Sequence, residues 1–394
     1  MTSRHNTSDS ISRRDFIHYM KKLGISMALA PVVLKALELL GAGGRHGSAY
    51  GASAGTIFKH ADFQEKIPGT SNVRCTLCPR REVLKPGQTG FCRIRKNIGG
   101  ELVTYGYDQP CIMNVDPVGK NPLFNFHPEM TVLAIAHAGC NLRCLYCQNW
   151  QYAMESPLNT RNITSFNSAE IVSKIKARSI GGISFTYTEP ACCPEFVSEF
   201  ASYCGKFGLK RTICTAGFIE KGPLRKLLKH FDAVTITFKG PDKKFYQNVT
   251  SATLKPVLDS MLLTKSEGKW LEVATLVVPT LNDDIKSLAT IARWIKDNLG
   301  KNTPWILEKF EPQYRLKRLP PTSQSTMETA RSIGLDTGLE FVYISNLALH
   351  TGNHTYCPSC GKVLIKRLGF KVLNNSLKNS KCCFCGQAIA GVWV

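Results

Sequence analysis

From residue 131 onward, short apolar runs alternate with amphipathic runs of helical period, and this alternation limits the fold more than any other feature. TVLAIAHAG, GGISFTYTEP, KRTICTAG, DAVTITFKG, LEVATLVVP, PWILEKF and LEFVYIS read as buried strands. Helices are expected between them near 168–178 and 194–207, over LRKLLKHF, LKPVLDSMLLTKSEG and IKSLATIARWIKDNLG, and near 325–337. A strand covered on both faces shows a continuous apolar run, and strands alternating with helices of about 10–15 residues build parallel βα units. Roughly six or seven such units predict an α/β fold, a partial or complete (β/α) barrel. Such barrels place their chemistry at the C-terminal ends of the strands. The segment directly after the first strand is therefore where a functional loop belongs.

That segment reads AHAGCNLRCLYCQNW, with Cys140, Cys144 and Cys147 spaced CxxxCxxC. Soft thiolates select iron–sulfur clusters, zinc or copper(I). On a four-iron cubane, three cysteines leave one iron without a protein ligand. An open coordination position marks reactive rather than structural chemistry. The competing reading is a zinc loop, or a three-Cys loop completed by a distant residue; the place of the motif after a first barrel strand favours the [4Fe-4S] cluster. At the end of the second strand stands Glu189, in Thr188-Glu189-Pro190. Its carboxylate either accepts from a bound ligand or caps the turn that follows.

Three further CxxC pairs occur among the 16 cysteines. Cys357/Cys360 and Cys382/Cys385, each pair followed by a glycine, give two knuckles around one tetrahedral four-thiolate site. A zinc-ribbon or rubredoxin-like module follows, holding structural Zn, or mononuclear Fe with an electron-transfer role. Cys383 is the spectator. Cys75 and Cys78 form the third pair. Cys192, Cys193, Cys204 and Cys214 read as small buried apolar residues. Metal-bound thiolates imply a reducing compartment, so a cytoplasmic location is expected.

Charge and the N-terminus add less. Lys and Arg number 50 against 29 Asp and Glu, a formal charge of +21. A basic surface attracts phosphates, anionic lipid or an acidic protein. No Lys/Arg run or Lys/Arg–aromatic patch marks a nucleic-acid arm, so a solvated basic surface is the plainer reading. Ser12-Arg13-Arg14-Asp15-Phe16-Ile17 matches a twin-arginine signal, and an apolar stretch from Leu23 to about Leu40 follows, interrupted by Lys35 and Glu38. Residues 1–60 are thus a signal-like leader and a Gly/Ala/Ser-rich linker, which leaves export or membrane association open. No later stretch approaches the roughly 18 apolar residues of a transmembrane helix. The expected divisions are leader and linker 1–60, a Cys-containing segment of short strands 61–130, the barrel 131–350 and the four-Cys module 351–394.

The cysteine loop resembles that of the radical S-adenosylmethionine (SAM) superfamily. Across about 72–394 the order of segments is similar to the radical SAM enzyme of the AmmeMemoRadiSam system, a relative of pyruvate formate-lyase activating enzyme. The likeness is carried by CTLCPRREVLKPGQTGFCRIRKN, DPVGKNPLFNFHP, GCNLRCLYCQNWQ, YTEP, TAGFI, FKG, VVPTLND, LPPT and CPSCGKVLIKRLGF…CCFCGQAIAGVW. It implies a reduced [4Fe-4S] cluster on Cys140, Cys144 and Cys147, with the open iron taking the amino and carboxylate groups of SAM. The 5′-deoxyadenosyl radical so formed abstracts a hydrogen atom from the substrate. It further implies Tyr146 near the adenine, Glu189 at the SAM amino group, Lys239 near its carboxylate, and a low-potential donor of the flavodoxin or ferredoxin type. A protein substrate fits glycyl-radical activases. An RNA-modifying member of the superfamily and a degenerate, non-catalytic Fe–S/zinc protein are the alternatives. The chain departs from the family in Ala216 for a usual Asn, in Thr237 for a usual Asp, and in Lys309 and Glu311 where His residues are expected. Glu82 replaces a further N-terminal Cys. A metal on Cys75, Cys78 and Cys92 then takes Glu82, Cys111 or water as its fourth ligand.

Overall fold

The computed structural model describes residues 58–163 and 166–393; the twin-arginine motif and the apolar stretch after it lie outside the described residues. An eight-stranded sheet organises the remainder. Its strands are β1 (Ile112–Pro117), β2 (Thr131–Ala136), β3 (Gly182–Phe185), β4 (Lys210–Thr215), β5 (Ala233–Thr237), β6 (Trp270–Val277), β7 (Trp305–Lys309) and β8 (Val342–Ser345). They lie side by side in chain order. β1 runs antiparallel to β2, and all later neighbours pair in parallel. Helices α1 (Ser168–Ala177), α2 (Pro194–Gly205), α3 (Lys221–Leu228), α4 (Leu254–Ser266), α5 (Ile285–Leu299) and α6 (Gln324–Asp336) make the crossovers. β8 does not pair back onto β1, so the barrel is partial rather than complete.

The helices form where the sequence period and the caps agree. α5 buries Leu288, Ile291, Ala292, Ile295 and Leu299, one stripe at i, i+3, i+4, i+7 spacing. Asp284 caps it by accepting from Ser287 N–H at 2.9 Å, and Ser323 caps α6 through Thr326 N–H at 3.0 Å. These stripes pack on the outward residues of the strands, among them Ile183, Ile213, Ile236, Val273, Leu307 and Ile344. Each such side chain contributes about 1.5–3 kcal/mol when fully buried.

Strand alternation turns the other residues inward, and there the C-terminal module fills the barrel floor. Ala274, Ile306 and Tyr343 pack against Phe124, Leu364 and Ile365. Arg367, on the strand Val363–Leu368, reaches into this layer almost wholly buried. Its guanidinium donates to Asn353 O (2.9 Å), Thr355 Oγ1 (2.8 Å) and Phe124 O (2.8 Å). Glu272 accepts from the N–H groups of Phe124 and Asn125, both at 2.8 Å, closing the floor from the strand side.

Residues 58–105 form two small three-stranded antiparallel sheets on the side of β3 and α2. One buried ion pair fastens them. Arg95, 1% exposed, meets Glu195 of α2, which also accepts from Asp62 N–H (2.9 Å) and Thr104 Oγ1–H (3.1 Å). Removing one member of a buried pair strands the other charge, at about 3–5 kcal/mol. Arg95→Met is therefore expected to lower unfolding free energy by about that amount, read from the denaturant midpoint; a shift within about 0.5 kcal/mol would contradict this account.

Candidate active site and metal centres

Cys140, Cys144 and Cys147 lie on the loop that leaves β2, at the C-terminal mouth of the sheet. The loop is held from three directions. Cys140 N–H donates to Cys92 O at 3.2 Å, from the N-terminal segment. Arg143 N–H and Leu145 N–H donate to Thr250 O (2.9 Å) and Val249 O (3.0 Å), on the π-turn Tyr246–Thr250 that follows β5. Arg315 N–H, after β7, donates to Leu145 O at 3.1 Å. Gly139 makes the first contact possible: at φ +97° it lets the backbone pass Cys92, where an added Cβ would stand 2.5 Å from Cys92 O.

Two arginines buttress the loop. Arg143 donates to the carbonyls of Cys140 (2.7 Å) and Leu142 (2.6 Å), and Arg80 to that of Asn141 (3.0 Å). Both guanidiniums lie on the Phe91 ring, at 3.5 Å for Arg80 and 3.9 Å for Arg143. Their charges stand beside the thiols, where they favour thiolate and any anionic cluster. Burial has the opposite effect, pushing the Cys140 thiol well above its ordinary range and Cys147 up to about 12. A soft metal resolves that conflict by binding the thiolate form.

Glu189 occupies the end of β3, and both expected roles bear on its geometry. Its carboxylate caps the turn Pro190–Cys192 through Ala191 N–H at 3.1 Å. It also accepts from Thr215 Oγ1–H (2.6 Å) and Ala216 N–H (2.7 Å) at the end of β4. At Ala216 the backbone N–H is thus the donor that reaches Glu189. Three donors leave one lone-pair position of the carboxylate for a ligand. Burial raises its pKa; Thr215, Ala216, Ala191 and the charge of Lys239 oppose that rise.

Lys239, two residues past β5, faces the same space. Burial alone would lower its pKa, but Cys144, Cys140, Cys214 and Glu189 around it raise it overall, so it stays charged. Among the described residues its ammonium has no carboxylate within the 4.0 Å of an ion pair. Tyr146 is buried, with its hydroxyl against the Cys144 thiol. An ammonium beside the loop thiols and a carboxylate with one free acceptor position suit a ligand with an anionic and an amino group, as SAM has. Thr237 Oγ1 donates to Thr215 O at 3.4 Å and stays with the strand ends.

The mouth also contains residues that sequence reasoning did not single out. Glu308 of β7 points inward, its pKa lifted by burial to about 7 and held down in part by Lys239. Cys214 of β4 lies between Glu308, Lys239 and Glu189. Lys309 and Glu311, picked from the same KFEP stretch, pair with each other instead. Inward alternation along WILEK was the available signal for Glu308.

The N-terminal cysteines come together as well. Cys75, Cys78 and Cys92 line one cavity with Glu82, and Cys192 lines it too. Cys111 lies apart, its thiol donating to Ala136 O at 3.4 Å. At the other end of the molecule, Cys357, Cys360, Cys382 and Cys385 place all four sulfurs within 4.8 Å of one another. The Cys357–Cys385 and Cys360–Cys382 separations are 3.6 and 3.8 Å. A tetrahedral ion with 2.3 Å metal–sulfur bonds requires edges of about 3.8 Å. Gly361 and Gly386, at φ 69° and 77°, complete the two knuckle turns, and Cys383 stays outside the group.

Residues 135–292 match the family model of the radical SAM superfamily. An uncharacterized protein of Methanocaldococcus jannaschii is 41% identical over 84% of this chain and 98% of its own length. The pyruvate formate-lyase-activating enzyme of Clostridium pasteurianum is 28% identical, over 40% of this chain and 67% of its own. A crystallised domain of a pyruvate-formate lyase-activating enzyme from Bacteroides vulgatus superposes with a TM-score of 0.38 at 19% identity, covering 42% of this chain and 99% of that one.

Glu308 has a pH signature. Its ordinary pKa of 4.5 is raised to about 7, so the folded chain keeps a proton that the unfolded chain has released. The associated stability is full below pH 4.5 and is lost as pH rises through about 7. At 1.36 kcal/mol per unit this amounts to up to about 3 kcal/mol. Glu308→Gln should flatten that slope in denaturant unfolding of the metal-free chain between these pH values; equal slopes in variant and parent would refute the assignment.

Proposed function

The chain belongs to the radical SAM superfamily, and from that premise we propose a glycyl-radical-activase-like enzyme of the AmmeMemoRadiSam type that acts on a protein substrate. That it is a radical SAM enzyme follows from its family and from its relatives among the pyruvate formate-lyase activases. One observation carries the reading: three thiols on the loop after the first parallel strand share the mouth with a lysine that lacks a carboxylate partner among the described residues. When bound, a reduced [4Fe-4S] cluster and SAM supply reductive cleavage to a 5′-deoxyadenosyl radical, which removes hydrogen from the substrate.

The chain's own residues supply the rest. Cys140, Cys144 and Cys147 would hold the cluster, and Arg80 and Arg143 would balance its charge. Lys239 would bind the SAM carboxylate, Glu189 the amino group through its remaining acceptor position, and Tyr146 would lie along the adenine. Phe91, stacked on Arg80 and Arg143, holds these two arginines against the cluster loop. Electrons would come from a flavodoxin- or ferredoxin-type donor. Sixteen free thiols fit a reducing, cytoplasmic setting. Among the described residues no helix is long and apolar enough to cross a membrane. The C-terminal site takes Zn in this reading, a structural ion whose four thiolates close it to further ligands, with mononuclear Fe as the alternative.

Anaerobic reconstitution followed by dithionite and SAM should yield 5′-deoxyadenosine and methionine; their absence would end the proposal. Lys239→Gln removes one charge-assisted contact worth about 1.5–3 kcal/mol, so the Kd for SAM should rise about 10- to 100-fold with cluster absorbance unchanged. Unchanged SAM affinity would remove Lys239 from the site. Cys144→Ala should abolish the cluster's absorbance while the C-terminal ion remains, as measured by metal analysis. Loss of both metals together would show that the two sites are not separate.

A further inference from the structure

Four thiols converge where the N-terminal segment meets the barrel. Cys75 ends the strand Val73–Cys75, Cys78 follows within the turn, and Cys92 lies beyond the next hairpin. Cys192 comes from the barrel itself, closing the turn Pro190–Cys192 behind Glu189. Their exposures are 8%, 8%, 8% and 1%. All four line one enclosed cavity, open over about 10 Å³ to the centre of a water-sized sphere. That is room for about one water or ion.

The ordinary reading of buried cysteines is apolar packing, and two features count against it here. The thiols come from three segments of the chain, Cys75 and Cys78 sharing one, and line a single cavity rather than filling it. Arg95, 1% exposed, also lines the cavity. Its Nη1–H donates to Cys75 Sγ at 3.8 Å, and its Nε has no partner. Nη2 is held by Glu195, and the Nη1 donor turned to Cys75 favours the thiolate form that a metal binds.

We propose that Cys75, Cys78, Cys92 and Cys192 form a second thiolate centre for a soft metal, a zinc-type ion or an iron–sulfur unit. Cys192 is the fourth ligand. Glu82 lines the same cavity but is an oxygen donor held on Phe91 N–H at 3.0 Å, whereas Cys192 completes an all-sulfur set, and Cys111 does not line the cavity. The four sulfurs are set more widely than the C-terminal four, which alone among the described residues draw within 4.8 Å. Binding therefore either pulls them inward around one ion or spans them with several metal atoms, and stoichiometry distinguishes the two. The centre lies directly behind the catalytic loop, since Cys92 O accepts from Cys140 N–H at 3.2 Å. The claim does not depend on SAM cleavage.

The test uses the full chain with Cys140→Ala, Cys144→Ala and Cys147→Ala combined, so that the catalytic cluster contributes no iron. After anaerobic loading with Zn²⁺, or with Fe²⁺ and sulfide, metal and sulfide per chain are measured. Metal beyond the one C-terminal ion, either one ion or iron with matching sulfide, is expected. Cys192→Ala added to this background should lose it and keep the C-terminal ion, while Glu82→Gln should keep both. Should the Cys192 variant fail to fold, the stoichiometry of the Cys192-bearing chain still decides. Metal accounted for by the C-terminal site alone, its retention in a folded Cys192→Ala chain, or a Cys92–Cys192 disulfide in the anaerobically purified chain would each overturn the proposal.

Discussion

A parallel sheet that does not close leaves its inner face to be covered by something other than itself. The remaining architecture answers to that constraint. Between β1 and β8 the barrel is open, and side chains such as Ala274, Ile306 and Tyr343 would otherwise meet water. The C-terminal module covers them from the floor, with Arg367 satisfying carbonyls that loops there leave unpaired. The N-terminal sheets cover the side of β3 and α2 through Arg95 and Glu195. What stays uncovered is the C-terminal mouth, and every sequence-selected residue of the proposed catalytic set faces it.

Charge at that mouth is divided in a way a cluster site needs. Burial favours the neutral forms of the loop thiols and of Glu189 and Glu308 in this poorly solvated space, so their charged forms need a cation or a metal beside them. Lys239 stands within it, and Arg80 and Arg143 press on the loop from behind. Neither set would be stable alone, because isolated buried charges are costly. Held together they offset one another, and among the described residues the Lys239 ammonium has no carboxylate partner.

The barrel was legible in the sequence because its strands are apolar on both faces and its helices keep a 3.6-residue stripe. The helix expected near 168–178 spans Ser168–Ala177, and the one near 325–337 spans Gln324–Asp336. The cluster loop was legible through spacing, and so were the C-terminal knuckles. What escaped notice depends on long-range geometry. Cys192 reads as a small buried residue until the fold brings it to Cys92, 100 positions earlier in number but packed beside it. Glu308 was passed over because Lys309 and Glu311 flank it with more conspicuous charges, and only the pleat of β7 turns it inward. Whether β8 pairs with β1 could not be read at all, since closure depends on stagger between strands rather than on any residue.

The four-cysteine knuckles and the catalytic loop stand at opposite ends of the same strands. A strand of five residues such as β7 spans about 17 Å, so the two sites have no side chain in common. An ion at the knuckles would therefore act as a rivet in the floor. Chelation would loosen the molecule from its closed end while the reactive end was still assembled.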